Sequence, residues 1–123
     1  MYLAAVAWIT LDPAPADPAG NPALRALLRA VSSVPGFAWV DYSVAEFTAN
    51  VLLFVPMGLL FVLLLGRWRW WLALAIGVAA TLTIELVQTF LPARFSDPRD
   101  LLANTLGTLV GIGVAAVAAR RAP

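Results

Sequence analysis

The chain has no cysteine, no histidine and no lysine. Without cysteine there are no disulfides, thiol nucleophiles or zinc–thiolate sites. Without histidine the commonest general base and the commonest transition-metal ligand are missing. Without lysine there is no Schiff base. Charge of either sign is scarce as well. Only 12% of the 123 residues are charged, against 62% hydrophobic. A soluble domain is nearer about a quarter charged and about half apolar. So few charges cannot coat a water-facing surface, which argues against a soluble globular protein. The same figures exclude disorder. The formal net charge is +1, from eight Arg and seven acids. That leaves no cationic excess for a polyanion, and no nucleic-acid partner is expected. The length allows one domain, residues 1–123.

What remains is apolar and arranged in long runs. Residues 43–65 form the first, with Glu46, Thr48 and Asn50 as polar interruptions. As a helix, such a run reaches about 34 Å, enough to cross a hydrocarbon core of about 30 Å. Residues 70–91 form a second run, broken only by Glu85, Gln88 and three threonines. Residues 101–119 form a third, ended by Arg120 and Arg121. In lipid each must be helical, because an open segment of any other kind leaves backbone groups unsatisfied. The expected fold is therefore all-α, a polytopic bundle of transmembrane helices.

Residues 1–11 are also apolar, but a helix of that length covers only about 16 Å. A truncated or shortened first span is the reading taken. A signal-peptide core would need a basic leader and an A-x-A site before Asp12, and neither is present. Residues 12–22 are rich in proline and read as a loop. Asn21 as cap and Pro22 as first residue then open a helix over 22–34. Its Leu24, Leu27, Leu28 and Val31 fall at i, i+3, i+4 and i+7, with Arg25 and Arg29 on another face. This amphipathic helix suits the headgroup region, or alternatively the protein's own surface. Phe37, Trp39 and Tyr42 precede the second span as an interfacial aromatic belt, and Trp68, Trp70 and Trp71 form the matching belt.

Four spans put the 66–69 loop and the C-terminus on one side, with Arg67, Arg69, Arg120 and Arg121. The other side also carries four arginines, Arg25, Arg29, Arg94 and Arg99, but six of the seven acids lie there too. The unopposed arginines mark the cytoplasmic side, so both termini are expected inside.

The intramembrane polar residues share one depth. Glu46 and Asn50 (i, i+4), Glu85 and Gln88 (i, i+3), and Asp100 and Asn104 (i, i+4) each lie on one helix face, near the outer ends of three successive spans. Thr81 sits one turn before Glu85. The 92–100 loop adds Arg94, Asp97 and Arg99. These residues predict one convergent polar site just below the outer surface. Glu85 is expected to be protonated or paired with Arg94. The competing reading is that the amides and carboxylates only join helices, at about 0.6 kcal/mol per interhelical bond. Pro56 predicts a kink near 52–56 that opens space beside Asn50. Gly107 and Gly111 form a GxxxG, for packing within the bundle or, alternatively, for homodimerisation.

These residues resemble the VanZ-like membrane proteins. Asn50, Phe54, Pro56 and Gly58 match the family's N-x-x-x-F-x-P-x-G. Glu85, Gln88 and the following Arg94 resemble its E-x-x-Q…R. Asp100, Asn104, Thr105, Gly107 and Gly111 resemble its D-x-x-x-N-T-x-G…G. The three motifs occur in the family's order across residues 50–113. The resemblance implies a small multi-span protein of the bacterial plasma membrane with a cell-envelope role. The founding member is associated with reduced susceptibility to teicoplanin. No reaction and no catalytic residue follow from it.

Three functions are weighed. A binding module would recognise a membrane lipid, a lipid-linked molecule or a lipoglycopeptide through Asn50, Glu85, Gln88, Arg94, Asp97, Asp100 and Asn104, with Arg94 and Arg99 for anionic groups. An intramembrane enzyme on a lipid-linked substrate would use Glu85 as acid or base, with Asp97 and Asp100 on a hard cation. An assembly partner would use Pro56, Gly58, Gly107 and Gly111 as packing surface. A transporter is least favoured in so short a chain. The binding module is the expectation, with no cofactor and no metal.

Overall fold

Each long apolar run becomes one helix. The computed structural model describes residues 1–11, 22–91 and 97–121. Its helices are α1 (Tyr2–Leu11), α2 (Pro22–Ser32), α3 (Tyr42–Leu65), α4 (Trp70–Gln88) and α5 (Pro98–Arg121), with a 3₁₀ turn at Arg67–Arg69 between α3 and α4. No strand occurs among the described residues. Three helices are long and apolar enough to cross a membrane: Ser43–Leu65, Arg67–Gln88 with the 3₁₀ turn included, and Pro98–Arg121. The ten residues of α1 reach about half of that thickness.

The ends of these helices have local causes. Asp41 caps α3 by accepting the Val44 N–H at 3.0 Å. Gly66, at φ +87°, closes α3 by donating its N–H to the Val62 carbonyl, and turns the chain into the next span. Two boundaries differ from expectation. The run at 70–91 stops being α-helical at Gln88 and continues as tighter turns, Phe90 onto Val87 and Leu91 onto Gln88. Pro92 follows, and a proline disfavours the helical conformation in the residue before it. The last span begins at Pro98, three residues before the apolar run at 101–119. Pro98 lacks the N–H that a first turn leaves unused, and the Asp97 carboxylate accepts the Arg99 N–H at 2.9 Å. Asp100 therefore lies inside the first turn of α5.

α2 ends at Ser32, two residues short of the expected 34. Ser32 and Ser33 hydroxyls donate to the Arg29 and Ala30 carbonyls, and Gly36 at φ +90° turns the chain away. The Asn21 cap lies outside the described residues. α2 makes no extensive contact with another described helix. Phe37 and Trp39 stack at 6.4 Å between α2 and α3.

α3 and α5 form the most extensive pair, and both pack on α4. The approach is so close that side chains are absent from it. A Cβ on Gly111 would stand 2.0 Å from the Val55 carbonyl oxygen, one on Gly107 2.2 Å from that of Val51, and one on Gly58 2.0 Å from that of Thr108. The GxxxG of α5 thus faces α3 of the same chain. Pro56 lies within a helix that continues on both sides of it.

The pattern of burial is inverted relative to a soluble protein. Leu52, Leu63, Leu64, Leu86 and Leu102 are exposed, whereas Thr81, Glu85, Gln88, Asn104 and Thr108 are buried. Lipid tails explain this, because they solvate leucine and leave polar groups to find partners inside the bundle.

Two apolar clusters complete the packing. Val62, Ala73, Ile112 and Ala115 fill the bundle toward the arginine end, where α3 and α5 finish. Val6 of α1 joins Phe54 and Met57 of α3, against Ala80 and Ile84 of α4. The Tyr2 hydroxyl fixes α1 by donating to the Leu53 carbonyl and hydrogen-bonding the Met57 backbone. Those two groups flank Pro56, where the helical ladder already lacks one N–H. Tyr2→Phe is expected to loosen α1 by about 1 kcal/mol. Hydrogen exchange across residues 2–11 would rise about five-fold, with α3–α5 unchanged.

Candidate functional site

At the end of the bundle where α3 and α5 begin and α4 ends, three helices bring polar side chains to one level. The upper rung joins α3 to α5. Asn50 Nδ2 donates to Asp100 Oδ1 at 2.9 Å, with both residues half-buried. Beside it, the Arg99 guanidinium donates to Ser43 Oγ and lies over the Phe47 ring, 5.8 Å from its centroid. The lower rung joins α5 to α4. One turn below Asp100, Asn104 Nδ2 donates to Thr81 Oγ1 at 2.8 Å. A turn deeper, Thr108 Oγ1 donates to the Asn104 carbonyl at 3.0 Å. Asn104 is 2% exposed, and its side-chain oxygen accepts no hydrogen bond.

Glu85 and Gln88 are buried on α4, above Thr81. The carboxylates of Glu46, Glu85 and Asp97 all lie within electrostatic reach of Asp100. One end of the bundle therefore holds four acids from three helices and the loop before α5. Even so, no group of three or more acids among the described residues is close enough together to hold a metal ion. The polar column stops at Thr108, where the cluster of Val62, Ala73, Ile112 and Ala115 begins. Access to this well is from the polar end.

Of the residues expected in the site, Asn50, Asp100 and Asn104 are linked across helix boundaries. Glu85 and Asp97 border them, and Gln88 is buried on the neighbouring helix. Arg94 lies outside the described residues. Gly58, Gly107 and Gly111 serve the α3–α5 contact that holds the rungs in register. Ser43 and Phe47 were missed as partners of Arg99. Both lie at the start of an apolar run, and the only sign of them was that Ser43, Phe47 and Asn50 share a helix face at i, i+4 and i+7. Thr108 was missed because a lone threonine in an apolar helix carries no pattern.

Three apolar helices with polar side chains turned inward at one end define a class, the small multi-pass helical membrane proteins. A family model described as VanZ/LLP1 matches residues 1–119. The chain belongs to the VanZ/LLP1 family, as the motifs at Asn50–Gly58, Glu85–Gln88 and Asp100–Gly111 suggested. Comparison with the curated proteins and with the solved structures found no match.

Proposed function

We propose that this VanZ-type membrane protein is a binding module whose polar well receives the headgroup of a cell-envelope amphiphile. The well faces the outer leaflet, and its occupancy modulates susceptibility to envelope-directed amphiphiles such as teicoplanin. One observation carries the reading: amides and carboxylates of three helices meet at a single depth, at one end only. Helix-joining alone has no need of that segregation, because a bond between helices is worth about as much at any depth. An apolar floor beneath the well suits capture from one side and not passage across the membrane.

The enzyme reading has a thin inventory. Without His, Cys or Lys it depends on Glu85, and the acids around it are not grouped to hold a hard cation. The assembly reading loses its surface, since Gly107 and Gly111 are occupied by α3 of the same chain.

The test is complementation of a deletion strain with wild type or Glu85→Ala, at equal membrane levels. Susceptibility to teicoplanin and to cell-wall stress is compared. Wild type is expected to restore the parental response and Glu85→Ala to leave the deletion response. Full restoration by Glu85→Ala would remove the proposal.

A further inference from the structure

Taking the amphiphile-binding reading above as its basis, we infer that the well recognises an ammonium group, the cationic end of an aminoalkyl headgroup, and not a phosphate. Two independent observations point the same way. The first is the balance of charge. Glu46, Glu85, Asp97 and Asp100 surround one position at the head of α5, and the one described arginine beside them, Arg99, is turned to Ser43 and the face of Phe47. An anion entering here meets repulsion from four carboxylates. A cation relieves it, and does so strongly where water is scarce.

The second is the unmet hydrogen-bonding capacity of Asn104. This side chain is almost fully buried, and its Nδ2 is committed to Thr81 while Oδ1 has no donor. Asn104 lies one turn below Asp100 on α5, and Thr81 lies one turn below Glu85 on α4. The amide therefore forms the floor beneath those two carboxylates. A buried carbonyl oxygen without a donor is unfavourable and is met by a ligand that donates.

The ligand must therefore carry both positive charge and several donors. A bare divalent cation fits poorly, because its oxygen ligands must close to about 2.0–2.6 Å, and no three of the described acids are so grouped. A neutral hydroxyl would satisfy Asn104 and leave the carboxylates repelling one another. An ammonium supplies one charge and three N–H donors. It tolerates oxygens spread around it at ordinary hydrogen-bond distances of about 2.7–2.9 Å. One N–H goes to Asn104 Oδ1 and another to the Asp100 oxygen not used by Asn50. Asp100 is half-buried in the first turn of α5. The group is therefore reached from the membrane boundary, where an amphiphile presents its headgroup.

Native mass spectrometry of the full chain in detergent tests this with three probes: phosphatidylethanolamine, its N-acetyl derivative and phosphatidylglycerol. Wild type is expected to retain phosphatidylethanolamine at least about ten-fold over the other two. Asp100→Asn is expected to lose about ten-fold, the effect of one hydrogen bond to a charged group. Asp97→Asn, which keeps a capping side chain before α5, serves as the second variant should Asp100→Asn fold poorly, and weakens retention in the same direction. Displacement of the bound lipid by free ethanolamine identifies the amine alone as sufficient; lipid retained in its presence assigns the acyl chains a share. Equal retention of the N-acetyl lipid or of phosphatidylglycerol by wild type would overturn the ammonium inference. If that retention still fell in Asp97→Asn, the amphiphile reading would survive without it. If wild type retained no probe above the level of an Asn104→Leu variant, both would fall.

Discussion

Gly111→Ala is expected to force α3 and α5 apart. The new methyl group would lie 2.0 Å from the Val55 carbonyl oxygen and 2.7 Å from the Leu59 nitrogen. Both atoms belong to helix backbone, which cannot rotate aside as a side chain can. Relief requires the helices to separate by more than an ångström along their closest line of contact. In lipid there is no hydrophobic force to resist this, because the tails are as apolar as the helix faces, and packing itself holds the pair. The cost should reach the upper end of the overpacking range, about 3 kcal/mol. Gly113→Ala supplies the control, because nothing stands within 4 Å of its Cβ position. That variant should remain within about 1 kcal/mol of wild type, with the helix propensity of alanine in its favour. Thermal unfolding of the two purified variants in detergent separates the outcomes. If both melted like wild type, the α3–α5 contact would not be the one described.

Asn104→Leu is expected to divide stability from function. The substitution removes the Asn104–Thr81 hydrogen bond between α5 and α4. Bonds of that kind between membrane helices average about 0.6 kcal/mol, with a maximum near about 1.7. Leucine is similar in size, so the buried position stays filled. The variant should fold and reach the membrane with only a small drop in melting temperature. Its loss should appear instead in complementation, where it is expected to behave like the deletion. A large fall in stability with function retained in the surviving protein would instead make Asn104 a structural joint. The same pair of measurements on Thr108→Val, one turn deeper and beneath the well, should show little change in either.

The polar layer was legible because depth in a membrane is nearly a linear function of position along a helix. Once residues 43–65, 70–91 and 101–119 are recognised as crossing runs, Asn50, Glu85 and Asn104 must lie at similar heights. The motifs at Asn50–Gly58 and Asp100–Gly111 were enough to suggest the family. Helix boundaries were less legible. Hydropathy marks where lipid begins, whereas the start of α5 at Pro98 and the end of α4 at Gln88 depend on proline geometry and on the Asp97 cap. The amphipathic pattern of 22–34 was readable, but the serine hydroxyls that close α2 at Ser32 were not.

The sequence by itself determined how many helices are long enough to cross, which residues are too polar for lipid, and at what height they stand. Composition and a rise of about 1.5 Å per residue suffice for that. Only the tertiary structure decided who meets whom around the helix axes: Asn50 with Asp100, Asn104 with Thr81, Arg99 with Ser43, and the glycines of α5 with the carbonyls of α3. Those pairings follow from the rotation of each helix about its own axis. That rotation is fixed by how closely backbones can approach at Gly58, Gly107 and Gly111, a property of two surfaces fitted together and not of either strand of sequence alone.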